Sequence, residues 1–321
     1  MPLLDVRGLT VSFRARPVDV VTGLSFSIEP GAVFGLAGES GCGKTLTALS
    51  VMGILPPEFK ASGEILFRGE DLLGLEETRL RRIRGKEIGM VFQEPMTSLN
   101  PVMTAGSQIR EVITEHLGLS KKEAEEKVIG LLRAVGIPSP ELRGRDYPHQ
   151  LSGGMRQRVM IAMTIACGPS LLIADEPTTA LDVTIEAQIL TLLRELRERT
   201  GMAMLLITHD LGIIRENADH AAVMYAGRLV ETSPVGEIFK RPRHPYTMGL
   251  LESLPRKRGV ALKPIEGAVP EPGRLPPGCK FSDRCRYMKP ACRAQEPALR
   301  EITAGHRARC IRAEEIEWPP S

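Results

Sequence analysis

Apolar and polar residues alternate along positions 3–13 and again along 23–28, with glycine breaks, and this period of two predicts a pair of antiparallel strands. A different pattern follows. The continuous apolar run 32–37 predicts a strand buried on both faces, and 46–55 predicts a helix stopped by Pro56-Pro57. Positions 63–67 and 88–92 read as strands, the second closed by Gln93-Glu94-Pro95, where a proline cannot continue a sheet. Between Gln93 and Leu151 the pattern is helical. Ser120 followed by Glu123 forms a capping box that opens a helix over 121–135, with Val128, Leu131, Leu132 and Val135 on its apolar face. Helices without intervening strands predict a small lobe inserted into an α/β core. Strand and helix then alternate again: an apolar run 171–174 ending in Asp175-Glu176, a helix 185–200, a buried strand 203–207, and a hairpin of 221–225 and 228–231 split by Ala226-Gly227. From Pro234 proline becomes frequent and periodicity fades. The tail reads as a loop-rich appendage held together by something other than a hydrophobic core.

The chemistry sits at the strand ends. Between the run 32–37 and its helix lies Gly38-Glu39-Ser40-Gly41-Cys42-Gly43-Lys44-Thr45, spaced G-x-x-x-x-G-K-[ST], with Leu46 next. Such a loop aims backbone N–H groups and a helix N-terminus at phosphate oxygens, Lys44 reaching the β/γ-phosphates and the Thr45 hydroxyl serving Mg²⁺. The chain is therefore expected to bind a nucleoside triphosphate. Asp175 and Glu176 end a strand buried on both faces, where a carboxylate without a task is expensive; Asp175 is expected to help hold the metal and Glu176 to polarise water. Gln93 is either a solvated loop residue or a ligand-facing strand end, and His209 either structural or catalytic. Ser152-Gly153-Gly154 at a predicted helix start is a second candidate anion site. Phe13, the large aromatic of the first strand, is either a packing residue or a platform for an adenine ring.

Composition narrows the picture only a little. A chain of 321 residues allows about two domains, and a net charge of +3 does not argue for nucleic acid. No apolar run is as long as a membrane span and no signal-peptide pattern opens the chain, so a cytosolic protein attached to membranes through partners is expected. Four of the six cysteines, Cys279, Cys285, Cys292 and Cys310, crowd the C-terminal end, which in a cytosolic chain favours metal over disulfide.

Taken in order, the phosphate loop, Gln93, the sequence LSGGMRQ at Leu151–Gln157, LLIADE, Ala180-Leu181-Asp182 and His209 resemble the ATP-binding cassette of ABC proteins over roughly residues 3–240. The resemblance implies an α/β fold: a doubly wound P-loop ATPase core with an antiparallel β-subdomain, an inserted helical subdomain at about 94–158, and a loop-rich, cysteine-containing C-terminal extension over 241–321. It implies ATP contacts from Phe13, residues 38–46 and Gln93, and Mg²⁺ held through Thr45, Gln93 and Asp175. Glu176 becomes the general base and His209 the γ-phosphate sensor. By the same resemblance Ser152, Gly153, Gly154, Gln157 and Asp182 contact the nucleotide bound by a facing cassette.

Within that family, FQEPMTSLNP (92–101), HPYTMGLL (244–251) and the tail cysteines resemble the ATPase subunits of bacterial dipeptide/oligopeptide importers, a group that includes nickel importers. The implied partners are a second ATPase subunit (a paralogue or another copy), two membrane permeases and an extracytoplasmic solute-binding protein, with no nucleic acid. The implied location is peripheral, on the cytoplasmic face of the inner membrane. The tail spacing, C-x₅-C-x₆-C-x₁₇-C, lacks the short knuckles common in structural zinc sites. Some importers of this group carry a [4Fe–4S] cluster on cysteines that resemble these; zinc and four reduced structural thiols remain open alternatives. Three other classes of function compete. An iron–sulfur translation or recycling factor would put two cassettes in one chain, where the motifs here make one. A soluble ABC ATPase that handles nucleic acid calls for a long coiled-coil insertion, and a non-catalytic ATP switch would not need Glu176 and His209.

Overall fold

The computed structural model describes residues 1–94, 98–179, 181–254 and 265–318. Pro95, expected to end a strand, and Ala180 of the Ala-Leu-Asp turn lie outside the described residues. In chain order the strands are β1 (Leu4–Phe13), β2 (Asp19–Ile28), β3 (Val33–Ala37), β4 (Phe59–Phe67), β5 (Glu70–Asp71), β6 (Ile88–Val91), β7 (Leu171–Asp175), β8 (Ala203–Thr208), β9 (His220–Tyr225), β10 (Arg228–Pro234), β11 (Arg300–Thr303) and β12 (His306–Ala308). The chain divides into two compact units. One holds Glu29–Ala32 and Gly74–Leu205, and the other Pro2–Ile28, Val33–Leu73 and Leu206–Ser321.

The Gly74–Leu205 unit pairs β6 with β7 in parallel, Ile88 opposite Leu171 and Val91 opposite Ala174. Every residue of both strands is buried, which is why each reads as an unbroken apolar run. Its longer helices are Ala105–Leu117, Lys121–Ala134, Gly153–Ile165 and Val183–Thr200. The predicted capping box is present: Ser120 Oγ accepts from the Glu123 amide, and the Glu123 carboxylate accepts from the Ser120 amide. Val183–Thr200 begins two residues before the position expected, because the Asp182 carboxylate accepts from the Ile185 amide at 2.9 Å and starts the helix there.

The other unit carries two sheets. One is antiparallel, in the order β2-β1-β4-β5. The second is mixed: β3 lies parallel to β9, which pairs antiparallel with β10, and β10 in turn with β12. The helix after the phosphate loop runs Lys44–Met52, stopping short of the expected end because Gly53 turns left-handed, at φ 64°, and its N–H returns to the Leu49 and Ser50 carbonyls.

The tail departs most from expectation. It has a core. Tyr246 and Met248 of the helix Pro245–Glu252 are fully buried, and Tyr225, Tyr246 and Phe281 form an aromatic cluster with ring centroids 4.7–5.3 Å apart. β12 adds to the edge of β10, with Glu231 opposite Ala308. At that seam Glu231, 0% exposed, accepts from the Arg243 and His244 amides at 2.7 and 2.9 Å and meets His306 Nε2 at 2.7 Å. The aromatic and histidine positions that build this core are too widely spaced in sequence to show a period.

Candidate active site

The phosphate loop is a backbone structure. It leaves the fully buried β3 and passes through Gly38 to Gly43, whose left-handed φ of 105° starts the helix at Lys44. Gly38 is required by close approach: a Cβ there would stand 2.3 Å from the Met224 carbonyl oxygen and 2.8 Å from Cys42 Sγ. Lys44 is 5% exposed, and its ammonium donates to the Gly38 and Glu39 carbonyls at 2.8 and 3.1 Å. Cys42 is buried and its carbonyl accepts from the Gly227 amide, so this variable position of the motif is part of the packing; burial pushes its thiol pKa up while Lys44 opposes the shift. Ser40 and Thr45 are exposed and Leu46 half-buried. In the same unit Phe13 packs on Phe59 at 4.7 Å, with the Arg16 guanidinium 4.3 Å from its ring centre. His209 is exposed immediately after β8, followed by Asp210, which caps the next helix.

The Gly74–Leu205 unit has carboxylates at a strand end of its own. Asp175 ends β7 and is 1% exposed. Glu176 follows with φ 45°, a left-handed backbone that a non-glycine residue adopts only under constraint, as at sites that must aim a side chain. Its Oε2 accepts from Gln93 Nε2 at 3.1 Å and from Thr179 Oγ1 at 3.0 Å. Gln93 and Glu176, 83 positions apart in sequence, are thus brought into one hydrogen-bonded group. Thr179 was not anticipated; a threonine in a turn carries no signal beyond its position three residues after Glu176. Ser152 caps Gly153–Ile165 by accepting from the Met155 amide at 3.3 Å, and Ser152 and Gly153 are exposed. Gln157 is buried, its Nε2 donating to the Pro177 carbonyl at 2.6 Å, which ties the helix behind Ser-Gly-Gly to the turn after Glu176.

Two further residues join the loop from the tail. The Glu39 amide donates to Tyr246 Oη at 2.9 Å, and Arg284 holds the Glu39 carboxylate through two bonds of 2.7 and 2.9 Å. Tyr246 lies within the HPYTMGLL sequence, which marks it; nothing in the sequence marks Arg284 beyond its neighbour Cys285. The four tail cysteines line one cavity of about 20 Å³ together with Phe281 and His244. Burial raises the Cys285 thiol to about 11 and the Cys310 thiol to about 12, and raises Cys279 as well. Among the described residues no three Cys, His, Asp or Glu side chains converge as a preformed metal site.

Comparisons with known proteins show the family. Residues 21–179 match the family model described as ABC transporter, and residues 230–292 match that of the oligopeptide/dipeptide transporter C-terminal region. The chain belongs to the ATP-binding proteins of oligopeptide/dipeptide ABC transporters. It is 47% identical to the dipeptide transport ATP-binding protein DppD of Bacillus subtilis, over 96% of this chain and 94% of that one. It is 49% identical to the oligopeptide transport ATP-binding protein OppD of Mycobacterium tuberculosis, over 98% of this chain but 52% of that longer protein. Among solved structures it resembles the dimeric post-hydrolysis state of an ATP-binding cassette bound to ADP and Pi, with a TM-score of 0.65 and 25% identity over 72% of this chain and 98% of that one. It also resembles CbiO1 of Clostridium perfringens, with a TM-score of 0.64 and 29% identity over 74% of this chain and 90% of that one. The cassette accordingly hydrolyses ATP with Mg²⁺, and among its described residues no helix is long and apolar enough to cross a membrane.

Proposed function

We propose that this chain is the ATP-hydrolysing subunit of a peptide importer, one of two cassettes beneath two membrane permeases, attached peripherally at the cytoplasmic face and fed by an extracytoplasmic solute-binding protein. The observation that carries the reading is the union in one chain of a constrained Glu176, hydrogen-bonded by Gln93 and Thr179, with an oligopeptide/dipeptide transporter C-terminal region. The cassette is taken as residues 1–240, with its helical lobe at about 94–158, and the extension as 241–321.

In the proposed cycle the loop 38–46 receives the triphosphate, and Lys44 exchanges its two carbonyl partners for β- and γ-phosphate oxygens. Phe13 stacks the adenine, in place of the Arg16 guanidinium that covers its ring. The Thr45 hydroxyl, Gln93 amide oxygen and Asp175 carboxylate are hard oxygen donors suited to Mg²⁺, which when bound offsets phosphate charge. Glu176 takes a proton from the attacking water, and the bonds from Gln93 and Thr179 fix which carboxylate oxygen faces it. His209 bonds the γ-phosphate. Ser152, Gly153, Gly154 and Asp182 address the nucleotide of the facing cassette, while Gln157 supports them from behind. ATP then joins the two cassettes, and loss of the γ-phosphate releases them.

Four thiols around one cavity suit a soft or thiophilic metal group, and we read them as holding a [4Fe–4S] cluster, with zinc the alternative. Burial raises the Cys279, Cys285 and Cys310 thiols, so loading must displace protons there.

The experiment for the central reading is Glu176→Gln in the presence of ATP and the partner cassette. A stable ATP-bound dimer by size exclusion supports it, and a chain that stays monomeric at saturating ATP overturns it. Peptide import is tested by reconstitution: ATPase activity must rise with peptide-loaded solute-binding protein. For the tail, anaerobically purified protein must contain iron and sulfide and absorb in the visible; zinc alone would displace the cluster reading.

A further inference from the structure

Residue Glu39 of the phosphate loop is held at three points. Its carbonyl accepts from Lys44, its amide donates to Tyr246 Oη, and its carboxylate receives the bidentate Arg284 guanidinium. The last two come from the extension beyond residue 240. Arg284 is itself fixed: its side chain is 5% exposed, it donates to the Glu266 and Gly267 carbonyls at 2.8 and 3.1 Å, and it lies over the Tyr225 and Phe281 rings.

We propose that Arg284 is a positioning residue for ATP binding, through which the extension sets the cassette's affinity for the nucleotide. Two physical arguments support it. First, Lys44 must leave the Gly38 and Glu39 carbonyls to reach phosphate oxygens, so the loop loses an internal tie when ATP enters. The bonds from Tyr246 and Arg284 do not depend on Lys44 and keep residue 39 in place. Second, Glu39 puts a carboxylate into a loop that receives a polyanion, and a guanidinium paired bidentately cancels that charge with fixed geometry. Arg284 precedes Cys285, so whatever orders the four-cysteine region also orders this clamp.

The inference rests on the reading of residues 38–45 as the ATP site, and the experiment separates the two. Fluorescent ATP is titrated into the full-length chain while melting temperature is recorded. If the wild type fails to bind, the site reading is wrong. If it binds, R284Q must weaken ATP by about tenfold, R284K must fall between R284Q and wild type because it keeps the charge but loses the bidentate fork, and E39Q/R284Q must recover part of the affinity because no unpaired carboxylate remains. A purely structural ion pair would lower the melting temperature of R284Q and leave affinity unchanged, and the double variant would not recover; either result overturns the proposal. If R284Q does not fold, R284K decides alone: ATP must bind more weakly by about threefold or more because the bidentate fork is lost, and unchanged affinity in the folded variant overturns the proposal.

Discussion

β3 and β7 are matched strands: five residues each, every one buried, each ending at a functional turn. They end in opposite ways. After β3 the site is made of backbone, and its demands fall on residues with no side chain; a Cβ at Gly38 would sit 2.3 Å from the Met224 carbonyl oxygen. After β7 the proposed site is made of side chains, and the backbone strain falls on Glu176, left-handed at φ 45°. A backbone site is a motif of glycines at fixed spacing. A side-chain site is a pair of acids whose partners come from distant positions, here Gln93 and Thr179. The first end should control binding and the second should control turnover.

Exchanging the chemistry at the second end gives the largest separation. Glu176→Gln should reduce ATP hydrolysis by roughly 10³-fold, within the usual range for a general base, while ATP binding by fluorescence titration persists. An equal loss of both would dissolve the contrast. Next in size is Gly38→Ala, which should weaken ATP binding by about 100-fold or more, because the obstructing atom is a backbone carbonyl that cannot rotate away. Unchanged affinity in a folded protein would show that the loop is not backbone-limited. Thr179→Val removes one hydrogen bond to Glu176, worth about 1 kcal/mol, and should lower kcat about fivefold with KM unchanged. A rise in KM instead would place Thr179 on the binding side of the comparison.

The last effect is on stability rather than on ATP, and concerns the tail's support of the first end. His244 caps the helix that carries Tyr246, its Nδ1 accepting from the Tyr246 amide, and burial, with the nearby Arg309 charge, lowers its pKa from the ordinary 6.5 to about 3. The unfolded chain therefore binds a proton below pH 6.5 that the folded chain refuses. The stability from neutral His244 is complete above pH 6.5 and is lost as pH falls from there toward 3, by about 1.4 kcal/mol per pH unit. Melting curves between pH 7 and 4.5 should show this slope, and His244→Asn, which retains an acceptor for the cap, should flatten it. An unchanged slope in the variant would assign the acid sensitivity elsewhere.

Much of this was legible in advance, for local reasons. Buried strands read as apolar runs, the Ser120–Glu123 box predicts its helix, and the phosphate loop is contiguous because backbone conformation depends on neighbouring residues. The order of Gln93, Leu151–Gln157, Asp175-Glu176 and His209 was enough to recognise the cassette. The tail was misjudged. Its apolar residues are scattered between prolines, so no period announces the cluster of Tyr225, Tyr246 and Phe281, and Glu231 gives no sign that it will bind His306 from 75 positions away. Ion pairs and hydrogen bonds between remote positions depend on how the chain returns on itself, which adjacent residues do not encode. Residues 38–45 show the division well. Their eight residues specify a phosphate loop unaided, but that Glu39 is clamped by Arg284, 245 positions later, could come only from the folded chain.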